Sequence, residues 1–149
     1  MNKEISDLLE LLEGVRGLLV RELEPLDEQA LNARIRPDFN SIGMLVRHVA
    51  DMERLMIGQQ VGGVPAGVDR QSAFRVEPAT RAELLEQLAA AGRLSRETLG
   101  ALAPEALDED GMRLLSGLAL NKRQTVVYAI AHIAHHRAQI LLLRKWLGC

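Results

Sequence analysis

A segment running from about Lys122 to Leu147 and closed by Gly148 reads as one long helix whose middle is apolar on nearly every side. Val127, Ile130, Ala134, Ala138 and Leu141 lie opposite the face that carries His132 and His136. A helix that is apolar on most sides is buried on most sides. Such a segment has to be surrounded, and a chain of 149 residues has little else to surround it with. We therefore expect the other helices to cover part of it and a second copy of the chain, in a homodimer, to cover the rest.

The partners are visible in the spacing of leucines. Ile5, Leu8, Leu9, Leu12, Val15, Leu19 and Val20 recur every three or four residues, which predicts a helix from about Lys3 to Glu22, ended by Pro25. Pro37 discourages helix at Arg36, so the stretch from Leu26 to Phe39 reads as a connection. Within it Leu26, Leu31 and Ile35 are expected to tuck under as a short helical turn. A second helix starts at Asn40 or Ser41, both good N-caps, and runs to about Gln60. Gly62, Gly63, Pro65 and Gly67 open a loop lasting to Ala79, long enough to suggest a functional or mobile segment.

Thr80-Arg81-Ala82-Glu83 is a capping box, and Leu84, Leu85, Leu88, Leu94, Leu99 and Leu102 carry the third helix onward. Pro104 to Asp110 reads as a short extra turn. Gly111 to Asn121 reads as an irregular connection, with Met112, Leu114 and Leu115 available for packing.

Composition agrees with an all-α fold in a single domain spanning 1–149. Leucine and alanine dominate, whereas β-branched and aromatic residues are few. A net charge of −2 with no basic block argues against a nucleic-acid partner. The only cysteine is the last residue, Cys149, which fits a reducing cytoplasmic setting. The first residues lack an apolar signal core, and no apolar run is expected to span a bilayer, so no membrane partner is expected.

Three of the four histidines fall in His132-Ile133-Ala134-His135-His136, and the fourth is His48. On a helix His132 and His136 differ by about 40° and stack one turn apart. His48 sits within the mainly apolar stripe of the second helix, beside Met44, Leu45, Met52 and Leu55. If the two helices pack, three imidazoles can converge on one ion and leave coordination positions open. The competing reading is a set of core histidines without metal. His135 lies about 60° from His132 on the side away from His136, so it reads as a neighbour of the site. Gln139, Tyr128 and Asp51 are candidates for orienting a ligand or touching a substrate. There is no HExxH motif and no paired Glu-x-x-His motif, so zincin-type and di-iron chemistry are not expected.

Asn40-Ser41-Ile42-Gly43-Met44-Leu45-Val46-Arg47-His48-Val49-Ala50-Asp51-Met52-Glu53-Arg54 resembles the second-helix signature of the DinB-like (DinB/YfiT) metalloprotein superfamily. His132-Ile133-Ala134-His135-His136-Arg137-Ala138-Gln139 resembles that family's other signature, His-x-x-His-His-Arg-Gly-Gln. The resemblance implies a four-helix bundle with an up-down-down-up path, commonly dimeric. It also implies one divalent transition metal, Zn, Ni or Fe, held by His48, His132 and His136. Met44 and Arg47 stand where aromatic residues are frequent in relatives, and Ala138 replaces the usual glycine.

Members of the family include enzymes that join bacillithiol or mycothiol to electrophiles. The expected function is therefore a metal-dependent thiol S-transferase in stress response or detoxification, taking a small-molecule thiol and an electrophile. A metal-dependent hydrolase and a non-catalytic metal-binding stress-response protein are the alternatives.

Overall fold

The periodic leucines become the buried faces of four long helices. A computed structural model describes residues 1–69 and 71–149. In chain order the helices are α1 (Lys3–Leu23), a short α2 (Glu28–Asn32), α3 (Ile42–Glu53), α4 (Arg81–Ala101) and α5 (Lys122–Leu147). α3 continues without a break into a π-helical stretch, Arg54–Val61. The caps expected from sequence form: Thr80 and Glu83 make their reciprocal box at the start of α4. Gly148 ends α5 in the left-handed region at φ 75°.

Side-chain contacts fix the direction of each helix. Glu4, near the start of α1, takes Arg123 at the start of α5, and Glu22, near the end of α1, takes Arg137 and Arg144, each at 2.7 Å. α1 and α5 therefore run parallel. Glu13 pairs with Arg96 and the Leu26 carbonyl accepts from Arg81, so α4 runs opposite to α1. Gly43 meets Ala79, Gly58 meets Leu94 and Gly62 meets Thr98, which sets α3 and its π extension parallel to α4. The path is up-down-down-up, as the resemblance to the DinB-like family implies. The approach is tightest at Gly62, where a Cβ would stand 2.6 Å from Thr98 Cγ2 and 2.8 Å from the Gly58 carbonyl oxygen.

A buried ion pair crosses the centre. Arg16 of α1 donates from Nη2 to Glu53 Oε1 at 2.6 Å and from Nε to Oε2 at 3.0 Å, and Ser95 Oγ of α4 donates to the same Oε1 at 2.7 Å. All three residues are buried. Gly92 makes room for the guanidinium, because a Cβ there would lie 2.6 Å from Arg16 Nη1.

Several expectations need correction. The second helix ends as α-helix at Glu53, and the remaining turns widen to i→i−5 bonds such as Gly62 N–H to Ile57 O at 3.0 Å. The connection Gly111–Asn121 is not irregular. Asp110–Arg113 (β1) pairs antiparallel with Ala119–Asn121 (β2), a hairpin anchored where Thr125 Oγ1 accepts from Met112 N–H at 3.0 Å. Met112 is buried there, whereas Leu115 at the tip is 98% exposed and packs on nothing. The long loop carries a single 3₁₀ turn, Ser72–Phe74, and Arg70 lies outside the described residues.

α5 is less enclosed than its composition suggests. Thr125, Val126, Ala129, Ile133 and Ile140 are buried, but Val127 and Leu142 are 51% and 59% exposed. By length and composition α5 is also apolar enough to cross a membrane, contrary to the expectation that no run reaches that size. Its ion pairs to Glu22 and its packing on α1 and α3 tie it into the bundle instead.

Candidate metal centre

α3 and α5 lie antiparallel, so the middle of each faces the middle of the other. His48 projects from α3 and His132 and His136 project from successive turns of α5 into the same groove. His48 Nε2 and His136 Nε2 each lie 3.1 Å from His132 Nε2, and the three ligand atoms all fall within 4.8 Å of one another. All three rings are half-buried.

The arrangement fits a divalent ion. Nitrogens 2.0–2.1 Å from a common metal stand roughly 2.9–3.4 Å apart for right-angled to tetrahedral geometry. Without an ion the same convergence is awkward, because a neutral imidazole has one N–H and cannot satisfy two facing nitrogens. Gln139 favours one tautomer in the orientation assigned to its amide: its Oε1 lies 2.7 Å from His136 Nδ1. A carboxamide oxygen accepts, so Nδ1 carries the proton and Nε2 keeps its lone pair for a ligand. His132 Nδ1 is buried with no hydrogen-bond partner among the described residues.

Electrostatics keep the cluster neutral. Burial, then the proximity of His136, lowers the His48 pKa to about 4. Burial lowers His132 to about 3, with His136, His48 and His135 adding to the effect. Burial also lowers His136, partly opposed by its bond to Gln139. Neutral imidazoles are the form that binds metal, so protons compete only weakly near neutrality.

A pH dependence of the metal-stripped protein follows. The unfolded chain takes protons at these histidines near pH 6.5, whereas the folded chain resists until about pH 4 at His48 and about pH 3 at His132. Between those values the unfolded state holds more protons, so stability is full above about pH 6.5 and is lost as pH falls toward 4. Thermal unfolding in EDTA from pH 8 to pH 4.5 should show a declining Tm that is flatter in His132→Gln. Parallel curves for the two proteins would contradict it.

The other sequence candidates are placed differently. His135 is exposed, its ring 5.1 Å from that of His136. Tyr128 is exposed and makes no ring or hydrogen-bond contact with the cluster. Asp51 pairs with Arg54 at 3.7 Å rather than with a histidine, and burial raises its pKa against the pull of Arg54 and Arg47. Phe74 was not anticipated: its ring lies 4.9 Å from that of His48 and walls one side of the cluster. It reaches the site from the long loop, where no periodicity marks which residue turns inward.

The model of the DinB superfamily matches residues 11–140. The chain belongs to the DinB superfamily. Solved structures agree with the fold of this DinB-superfamily chain while sharing little sequence. A conserved protein from Enterococcus faecalis has 18% identity and a TM-score of 0.75, over 97% of each chain. A DinB-like protein from Bacillus cereus has 15% identity and a TM-score of 0.71, covering 95% of this chain and 91% of its own. YfiT from Bacillus subtilis, described as a probable metal-dependent hydrolase with an unusual four-helix bundle topology, has 17% identity and a TM-score of 0.69. The match to YfiT covers 99% of this chain and 90% of that one. No match is found among curated proteins.

Proposed function

We infer that this DinB-superfamily protein is a metal-dependent thiol S-transferase acting in stress response or detoxification in the cytoplasm. The observation that carries the reading is the convergence of three half-buried imidazoles, with the Nε2 atoms of His48 and His136 each 3.1 Å from that of His132. A divalent ion bound there supplies a Lewis-acidic centre that lowers the pKa of a thiol or water entering an open position. The residues supply the rest. Gln139 holds the His136 ring in one tautomer, and Phe74 shields the His48 side from water. Low imidazole pKa values keep the three nitrogens unprotonated at pH 7. In the transfer the thiol proton leaves to solvent, a carbon–sulfur bond forms, and the leaving group departs with its electron pair.

The protein loaded with Zn²⁺ or Ni²⁺ should conjugate bacillithiol, mycothiol or glutathione to monobromobimane faster than the metal-stripped protein does. No conjugation above background with any of the three, at full metal occupancy, overturns the reading. The description of YfiT favours one second reading, a hydrolase in which the same centre activates water. Ester or amide hydrolysis without thiol conjugation would select it.

The assembly belongs to the same reading. Leu11 and Leu18 of α1 and Val127 of α5 are 38–58% exposed on neighbouring parallel helices. Gly14, Ala131, Ala134 and Ala138 lie exposed among them, leaving a low, flat apolar face. A homodimer through this face covers it. Neither nucleic acid nor a membrane is needed as a partner.

A further inference from the structure

Toward the C-terminal end of α5, and linked to the histidines through Gln139, lies a cavity of about 480 Å³, bounded by the start of α3 and the connection before it. Leu45, Leu142 and Leu143 form apolar walls, and Phe39 and Trp146 stand at the mouth, 44% and 73% exposed. That volume falls in the range of about 300–1,000 Å³ typical of small-molecule pockets. Half-exposed aromatics around an apolar cavity gain from an occupant that shields them.

Continuity with the histidines says what the occupant is. Leu45 precedes His48 by one turn of α3, and Gln139 lies between His136 and Leu143 on α5. The Gln139 side chain lines the cavity while its Oε1 engages His136 Nδ1 at 2.7 Å. Its Nε2 makes no hydrogen bond among the described residues, leaving a free donor where the apolar cavity meets the histidines. Arg36, the charged residue of the lining, is paired with Asp38 at 3.1 Å and lies 5.7 Å from the Phe39 ring centre. Arg36 is exposed at the rim with Asp38 as its partner, so the buried walls of the cavity are apolar and uncharged.

We propose that this cavity holds the neutral apolar body, aromatic ring or branched alkyl chain, of an electrophilic substrate whose reactive carbon points past Gln139 to the histidines. The proposal rests on the histidines being the reaction centre. It assigns Leu142, Phe39 and Trp146 to substrate selection rather than to the dimer face.

Trp146 is the only tryptophan in the chain, so its indole N–H resonance reports on the cavity directly. Titrating the metal-loaded protein with 4-chlorobenzyl alcohol, neutral and unreactive, should shift that resonance saturably. 4-Chlorobenzoate should bind at least tenfold more weakly, and allyl alcohol should give no saturable shift. Leu142→Asp should weaken 4-chlorobenzyl alcohol at least tenfold, and Phe39→Ala serves as a second variant at another exposed wall. In conjugation assays the ratio of kcat/KM for 4-chlorobenzyl chloride over allyl bromide should fall at least tenfold in Leu142→Asp. The proposal is overturned by no saturable shift, by equal binding of the benzoate, or by unchanged affinity in both variants. It is also overturned if the indole resonance moves with protein concentration alone, because a second copy then fills the cavity. Binding without conjugation of any thiol removes the transferase reading and leaves the cavity a binding site. Conjugation without binding removes the cavity's role alone.

Discussion

Replacing His132 with alanine should weaken divalent metal binding by more than about 100-fold, because loss of a group that only supports a ligand already costs about 10–100-fold. His132 is the pivot: its Nε2 lies 3.1 Å from both other ligand nitrogens. The variant should still fold. Its buried Nδ1 has no partner, so truncation removes an unsatisfied polar atom along with the ligand. Metal at about 100 times its Kd stabilises a folded protein by at most about 2.7 kcal/mol, less whatever binding the unfolded chain retains. For a chain of this size that raises Tm by up to roughly 5–11 °C. The wild-type protein should show that rise with Zn²⁺ or Ni²⁺ after chelator removal, and His132→Ala should show almost none. An equal rise in both proteins would place the metal elsewhere.

The second large effect concerns stability alone. Glu53→Ala leaves the Arg16 guanidinium buried beside Gly92 without its carboxylate and strips Ser95 Oγ of its acceptor. Breaking one side of a buried pair costs about 3–5 kcal/mol, whereas replacing both partners by apolar residues is often near neutral. Urea denaturation should therefore show Glu53→Ala less stable by about 3–5 kcal/mol, with the double variant Arg16→Met/Glu53→Met recovering most of the loss. A loss below about 1 kcal/mol for Glu53→Ala would mean that the pair is solvated in the protein.

These two sites differ in how they could be read from sequence. The histidine cluster was legible because His132 and His136 are four apart and histidine is otherwise rare, so helical geometry alone stacks them. The ion pair left a fainter mark. Arg16 falls between Leu12 and Leu19 in the apolar stripe of α1, a charge where packing wants none, but nothing local names Glu53 as its partner across 37 positions. Helix ends were legible at three caps, Ser41, Thr80 and Gly148.

The π extension after Glu53 was not legible, since its register depends on how closely Gly58 and Gly62 approach α4. The β1–β2 hairpin was missed because strands of four and three residues are too short to show alternation. Which apolar positions of α5 one chain leaves uncovered, Val127 and Leu142 among them, was not fixed by their apolarity. Apolarity shows that a surface wants cover, and says nothing of whether the same chain provides it.

The unequal spacing of the three histidines has a consequence for folding. His132 and His136 remain four residues apart in any state of the chain, so an unfolded molecule keeps a two-point chelate. His48 stands 84 positions away and joins them only when α3 and α5 are docked. An ion held by that pair alone would stabilise the folded chain only as far as the helix pre-organises the two rings, because binding to the unfolded chain offsets the rest. Bonding to His48 as well would close a long chain loop, so that His48 would act as a clasp between α3 and α5.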